Sequence, residues 1–369
     1  MGVNAIEFNV KLARSLYLCL NLILSVLYSY ITVKFISVYN FPIYIILFIT
    51  TLIEFFILLD TSYFKIITGI KTKYLYYMLI VFSIAMFIFK SNINITYVLI
   101  FYFVYYLLIT IVLLNYNLFV IEESKSIKAG VTDISIYSNL SKLLGFSLGS
   151  YIYKVNIEEY LIVFIIVFIL FSSLKINNFK NKTEKNSERL VFNKLKRKYI
   201  IVNTALLSGT AVFFIPMFIK QLATRNLIQY SSIVFFIPGL TVVLFLILTK
   251  KYEINLNKIL ISYIILDMVF FIFVICKVFL PLQVILLSLI VALGVSISIN
   301  LRTNFIKIND KEYRKSILQI FRISAPLFTI ILSLIGLYLE NIAYYILLIS
   351  ILSASHVLWV NVRKNKVIL

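Results

Sequence analysis

The sequence predicts an all-helical integral membrane protein with about twelve transmembrane helices, grouped as two six-helix bundles. Hydrophobic residues make up 62% of the 369 residues and charged residues 14%, whereas a typical soluble protein has about a quarter of its residues charged. Apolar runs of transmembrane length recur along the chain with short connections between them. A single longer polar segment, residues 175–198, divides these runs into two sets.

The rule that a membrane-spanning helix needs about 20 mostly apolar residues predicts each helix in turn. The first half has candidates at residues 15–38, 43–64, 74–89, 95–121, 131–153 and 160–174. The second half has candidates at residues 199–218, 228–248, 259–278, 280–299, 316–339 and 342–362. We therefore expect a first bundle at 1–174, a basic cytoplasmic loop at 175–198 and a second bundle at 199–369. The run at 15–38 is too long for the apolar region of a cleavable signal peptide, so we interpret it as the first transmembrane helix.

The positions of lysine and arginine predict the orientation in the membrane. If the N-terminus is inside, most of the 35 Lys and Arg residues fall at cytoplasmic helix ends, and the segment 175–198 is the most basic of them. Few fall at the opposite ends, namely Lys90, Lys154, Lys220, Arg225 and Lys277. The positive-inside rule then predicts that both termini are cytoplasmic, in a bacterial cytoplasmic membrane. The net charge of +20 is explained by this topology beside anionic lipid, without a nucleic-acid partner.

Several short segments fit one family of membrane proteins. Glu54 lies in the predicted second helix, and the segment 60–73 that follows it contains Asp60, Gly69, Lys71 and Lys73. The fifth predicted helix has a GxxxG pattern at residues 145–149, and a polar segment at 309–316 precedes the eleventh. With the six-plus-six layout, these features resemble the major facilitator superfamily, although the first Gly and the loop Asp of its helix 2–3 motif are missing. The resemblance implies two bundles that rock around a central cavity to give alternating access. It makes Gly69, Lys71 and Lys73 candidates for a gate, which Asp60 would close by pairing with a basic loop residue.

Ionisable residues inside the predicted helices are the candidates for chemistry, because each costs about 2.5–3.5 kcal/mol in the bilayer on insertion scales. Lys142 lies near the middle of the fifth helix, on a polar stripe that includes Asn139. It either holds an anionic group of a substrate or forms a structural ion pair. Glu54 either takes up a proton that drives transport or pairs permanently with Lys142 or another cation.

Two further charged residues are predicted to lie within second-half helices. Asp267 is an acidic residue near the middle of the predicted helix 259–278. Proton or cation handling and a satisfied structural role are both open for it. Arg322 lies about two turns inside the predicted helix 316–339. It either contributes to substrate binding or extends its side chain to the membrane surface.

Several function classes lack their characteristic residues in this sequence. It has no Walker A motif, a single His and no Cys/His cluster of metal-binding spacing. We therefore expect neither an enzyme nor a bound cofactor. The favoured hypothesis is a secondary transporter, a proton-coupled exporter that antiports protons against a small amphipathic compound or peptide. The alternative is a non-transporting accessory or immunity subunit of another export system, which would bind other membrane subunits. The low Gly count of 9 and the incomplete loop motif favour the alternative.

Overall fold

The computed structural model describes most of the predicted helices. The described residues are 3–37, 44–64, 66–67, 70–88, 95–155, 165–167, 169–170, 203, 214, 217–218, 221–222, 225, 227, 230–251, 255–308, 314–336 and 342–366. The predicted loop 175–198 and most of the predicted helices 160–174 and 199–218 lie outside these residues. The division into domains at 174 and 198 therefore stays a prediction.

Every regular element in the described part of the chain is helical. In the first half these are α1 (Val3–Ser37), α2 (Tyr44–Leu59), a π-helical turn (Asp60–Phe64), α3 (Thr72–Ile88), α4 (Ile95–Glu123) and α5 (Ile127–Val155). In the second half they are α6 (Ser231–Lys251), α7 (Leu256–Ile275), α8 (Leu280–Ile308), α9 (Arg314–Gly336) and α10 (Ile342–Lys366).

The helices have the length and apolar surface of membrane spans. Within the described residues, five are long and apolar enough to cross a bilayer: Asn9–Val33, Leu99–Glu123, Leu256–Ile275, Leu280–Lys307 and Tyr344–Val362. Many large apolar side chains point outward, for example Leu352 at 67% exposure. Helices pair their own backbone groups, which is why such a sequence can form them in lipid. The predicted all-helical membrane class is confirmed.

In the first half, α1 packs closely against α5 and also contacts α4. The GxxxG pattern makes this approach possible. A Cβ on Gly145 would lie 2.6 Å from Ser25 Cβ, and one on Gly149 would overlap Ser29 and the Val26 carbonyl. Both glycines therefore serve a close helix contact.

The two halves meet along two seams, each formed by helices from both. At one seam α5 contacts α6 and α8, and at the other α9 contacts α2, α4 and the π-helical turn. In the first seam, a Cβ on Gly239 would lie 3.0 Å from Leu143 Cβ. These seams position the polar residues described below.

One predicted helix boundary is wrong in a way that matters for the site. The apolar-run rule ends the predicted helix 280–299 at residue 299, but α8 continues to Ile308. Arg302 therefore lies about 9 Å inside the helix end, at 1.5 Å per residue. The apolar-run rule leaves Arg302 beyond the predicted helix 280–299, because apolarity, rather than helicity, sets that boundary.

Candidate functional site between the two helical halves

Glu54 on α2 is the centre of a polar bridge to α9. Its carboxylate lies 3.0 Å from Arg322 Nη2, and Arg322 Nε donates to the same oxygen at 3.2 Å. Gln319 Nε2 donates to the other carboxylate oxygen and, at 2.9 Å, to the Glu54 backbone carbonyl. The Tyr106 hydroxyl on α4 donates to Glu54 at 3.1 Å. Glu54 is thus paired with "another cation", the second of the two partners expected from the sequence, and the pair joins the two halves.

Arg322 also reaches α4. Its Nη2 donates to Thr110 Oγ1 at 3.4 Å, so the guanidinium is held by two first-half helices. The side chain retains 22% exposure, while that of Glu54 is 2% exposed. Arg322 therefore contacts the buried carboxylate and keeps part of its surface open.

A second bridge crosses the other seam at Asp133 on α5. One carboxylate oxygen lies 2.5 Å from Arg14 Nη2 on α1, and the other pairs with Lys250 Nζ on α6. The Asp133 side chain is 8% exposed and that of Lys250 is 52% exposed. Asp133 lies two residues inside the predicted helix 131–153, where charges are common, so the sequence does not distinguish it from an ordinary helix-end residue. The Asp133 side chain is buried because α1 and α6 pack against α5 at this position.

Both bridges lie toward one end of the helical bundle. We call it the basic end, because exposed Lys125, Lys128, Lys250, Lys258 and Lys307 lie there. Asp133 is about 9 Å from the start of α5, and Glu54 is about 9 Å from Asp60 at the end of α2. The basic end is therefore closed across both seams by charged pairs.

Arg302 on α8 also contacts the first half. Its Nη2 donates to Ser135 Oγ on α5 at 2.8 Å. The phenol of Tyr17 on α1 interacts electrostatically with both Arg302 and Arg322. The two arginines therefore both lie near Tyr17, although they belong to different helices.

Lys142 lies deeper along α5 than Asp133, about 14 Å further from the basic end. Its side chain is exposed, yet it is close enough to interact electrostatically with Arg302 and Arg322. An exposed lysine that faces α8 and α9 opens onto the space between the halves. Asn139, one turn earlier, donates to the Ser135 carbonyl of its own helix at 2.8 Å. Lys142, Arg302 and Arg322 thus form a group of three cations around that space.

Comparison with known proteins places this architecture. No protein-family profile matches the sequence, and no curated protein sequence matches it. Among solved structures, the human organic anion transporter MFSD10 aligns at TM-score 0.64 with 12% identity, over 94% of this chain and 97% of that one. The E. coli fucose:proton symporter FucP aligns at 0.55 with 14% identity, over 94% and 96%. A bacterial homologue of the iron transporter ferroportin, in an outward-facing state, aligns at 0.59 with 11% identity, over 96% and 99%.

The protein has a major facilitator fold. The likeness extends over nearly the whole of each chain, which confirms the resemblance inferred from the layout. The remaining candidate residues are described within this fold.

Asp267 lies apart from the two seams of the major facilitator fold. It is fully buried on α7, a helix that packs against α8 and α10. Its two carboxylate oxygens have no hydrogen-bond partner among the described residues, and the Ser350 hydroxyl on α10 bonds with Tyr263 at 2.6 Å. None of the Lys and Arg side chains in the described residues forms an ion pair with it. The structure does not bring Asp267 together with Glu54 or Lys142.

Among its described residues, the predicted gate segment forms contacts within its own part of the chain. Asp60 Oδ1 accepts backbone N–H groups from Ile66 at 2.8 Å and Ile67 at 3.1 Å, so it stabilises the turn after α2. Lys71 and Lys73 are exposed, and Lys73 Nζ lies 5.7 Å from the centre of the Tyr77 ring. Gly69 lies outside the described residues.

The described residues offer no group of three or more His, Cys, Asp or Glu side chains that could hold a metal ion. What the site offers is positive charge and hydrogen-bond donors. Of the three cations, Arg322 pairs with the Glu54 carboxylate, and that carboxylate also accepts from Gln319 and Tyr106. This chemistry suits binding of an anion and reversible pairing between the halves.

Proposed function

We propose that this protein is a secondary transporter that moves a small molecule by alternating access. The observation that carries the proposal is the pair of polar bridges, Glu54–Arg322 and Asp133–Lys250, which join opposite halves toward the basic end. Such bridges can separate and reform as the halves rock. The major facilitator fold supports the same mechanism.

In this scheme the space between the halves opens away from the basic end. Lys142 is exposed beyond both bridges, and the bridges close the basic end. Among the similar structures is one of a ferroportin homologue described as outward-facing. With both termini in the cytoplasm of a bacterial cell, the basic end is cytoplasmic, and the state is outward-facing.

In this proposal the protein exports a small amphipathic compound or peptide, and protons that move in the opposite direction drive the export. Glu54 is the coupling residue in this scheme, because protonation would remove the charge that holds Arg322 and would weaken the bridge. One similar structure is a fucose:proton symporter, which supports proton coupling as a chemistry that this fold accommodates.

The test measures the distance between the halves at the basic end. Spin labels on Lys125→Cys and Lys258→Cys, two exposed positions, are introduced in a background with Cys19→Ser and Cys276→Ser. Electron–electron distance measurements on protein in lipid nanodiscs should show a short and a long population. Asp133→Asn should enrich the long one, and Lys128→Gln, a neutralisation outside both bridges, should leave the populations unchanged.

The same distance measurement, repeated at lower pH, tests proton coupling. Acidification should enrich the long population in the wild type and have no effect in Glu54→Gln. A single distance distribution that neither Asp133→Asn nor pH changes would reject alternating access. It would favour the accessory or immunity subunit, for which the fully engaged Glu54 carboxylate would be a permanent structural contact.

A further inference from the structure

The space that Lys142 faces has an excess of positive charge. Three cations, Lys142, Arg302 and Arg322, interact electrostatically with one another or with the Tyr17 phenol. Glu54 is the carboxylate that pairs with this group among the described residues, and Gln319, Tyr106 and Arg322 already donate to it. Asp133, the nearest acidic residue on α5, is held by Arg14 and Lys250. The group therefore carries two positive charges that no described carboxylate neutralises.

Arg302 has unused capacity to bind. Its Nη2 donates to a neutral partner, the Ser135 hydroxyl, and its buried Nε has no hydrogen-bond partner among the described residues. A buried guanidinium without a counter-charge is costly, and such groups are normally paired. Arg also presents its donors in a planar fork that fits two oxygens of one carboxylate or phosphate.

We propose that Lys142 and Arg302 bind the carboxylate or phosphate group of a small organic anion, and that Arg322 adds to the attraction. Lys142 supplies a mobile ammonium on the open side, and Arg302 supplies directed donors on the closed side. The binding of an anion here does not depend on the proposed function. Only the statement that this anion is the transported substrate rests on it. The proposal narrows the small amphipathic compound to one with an anionic end, and it assigns Arg302, which lies beyond the predicted helix 280–299, to the binding site.

The test measures attraction of anions at position 142 and needs no knowledge of the substrate. In the Cys19→Ser/Cys276→Ser background, Lys142→Cys is reacted in detergent with two methanethiosulfonates, one bearing a sulfonate and one a trimethylammonium group. The ratio of the two rates is divided by the same ratio for 2-mercaptoethanol, which removes the intrinsic difference between the reagents. A cleft lined by one sign of charge raises local counter-ion concentration by about 10-fold or more.

We expect the normalised ratio at position 142 to favour the anionic reagent by about tenfold. Adding Arg302→Gln should lower it several-fold, Arg302→Lys should restore most of it, and Lys128→Gln should leave it unchanged. In the Lys142→Cys protein that keeps Arg302, higher ionic strength should lower the ratio. This tests the electrostatic attraction of the anionic reagent without altering Arg302. A ratio near one, or a thiol that neither reagent reaches, would overturn the proposal.

Matched ligands provide an independent readout on the protein with Lys142 and Arg302 in place. The probes are benzoate against benzamide and phenyl phosphate against phenol, each at constant ionic strength. The anion of a pair should raise the melting temperature more than its neutral partner, and Lys142→Met should remove the difference. Equal shifts from both members, combined with a normalised ratio near one, would refute the site. That result would not bear on alternating access, which the spin-label distances test separately.

Discussion

Neutralising Glu54 should destabilise the protein by removing one side of a buried ion pair. In Glu54→Gln, the amide oxygen can still accept a hydrogen bond from Arg322, but the guanidinium loses the counter-charge that Glu54 supplies. Removing one member of a fully buried pair costs about 3–5 kcal/mol. Arg322 is 22% exposed, so water compensates part of the loss, and we expect a cost of about 2–4 kcal/mol.

The cost arises from leaving a charge unpaired, and a second substitution should therefore relieve it. Combining Glu54→Gln with Arg322→Met removes both charges, so the double variant should be more stable than the sum of the single effects predicts. Residues in direct contact show coupling free energies of about 0.5–3 kcal/mol, and we expect a value in the upper half of that range.

The assay is reversible unfolding in mixed dodecylmaltoside and SDS micelles, followed by far-UV circular dichroism. The matched control pairs Glu54→Gln with Lys250→Gln, which belongs to the other bridge, and should give a coupling within about 0.5 kcal/mol of zero. If Glu54 and Arg322 were coupled no more strongly than this control, the bridge between α2 and α9 would not exist in the folded protein.

Three further predictions test other parts of the structure. Gly145→Ala should lower the free energy of unfolding by about 1–3 kcal/mol, because its Cβ would lie 2.8 Å from the Leu22 carbonyl and 2.6 Å from Ser25 Cβ. Gly239→Ala is the control and should lower it less, because the nearest neighbour of its Cβ is Leu143 Cβ at 3.0 Å. Equal unfolding free energies for the two variants would contradict the α1–α5 packing. Asp133→Asn should lower the unfolding free energy less in an Arg14→Met background than in the wild type, because no Arg14 charge is then left without its partner; equal losses in the two backgrounds would argue against the bridge. Asp267→Asn should leave the unfolding free energy within about 1 kcal/mol of wild type, because the amide fits the same space and the carboxylate oxygens form no hydrogen bond among the described residues that the change would break; a large loss of stability would mean that a charged carboxylate is required there.

The helices could be predicted from the sequence because the bilayer requires them. A chain that crosses lipid must pair its backbone groups within the crossing segment, so apolar length alone identifies the spans. The same rule misplaces their ends, since helicity continues beyond the apolar run, as α8 does to Ile308. The polar stripe of α5 was predictable for a similar reason, because lipid does not tolerate a polar face.

The partners of the charged residues could not be predicted, because they depend on packing between distant helices. Glu54 and Arg322 are separated by 268 residues in the chain, and nothing in the sequence selects that pair over Glu54 and Lys142. Asp133 and Arg302 lie near helix ends, where charged residues are common and carry little information. Their significance comes from burial and from the seams on which they lie.

The two bridges differ in how strongly they hold the basic end closed. Lys250 is 52% exposed, and an exposed ion pair contributes only about 0–1 kcal/mol. The Glu54–Arg322 bridge is more deeply buried and therefore sets most of the cost of opening. An anion held by Lys142 and Arg302 would lie near Arg322 and would compete with Glu54 for its guanidinium. Phenyl phosphate should then enrich the long Lys125–Lys258 distance in the wild type and have no effect in Arg322→Met. If phenyl phosphate bound but enriched the short distance instead, the anion would stabilise the closed basic end, and competition for Arg322 would not be the way in which binding drives the change.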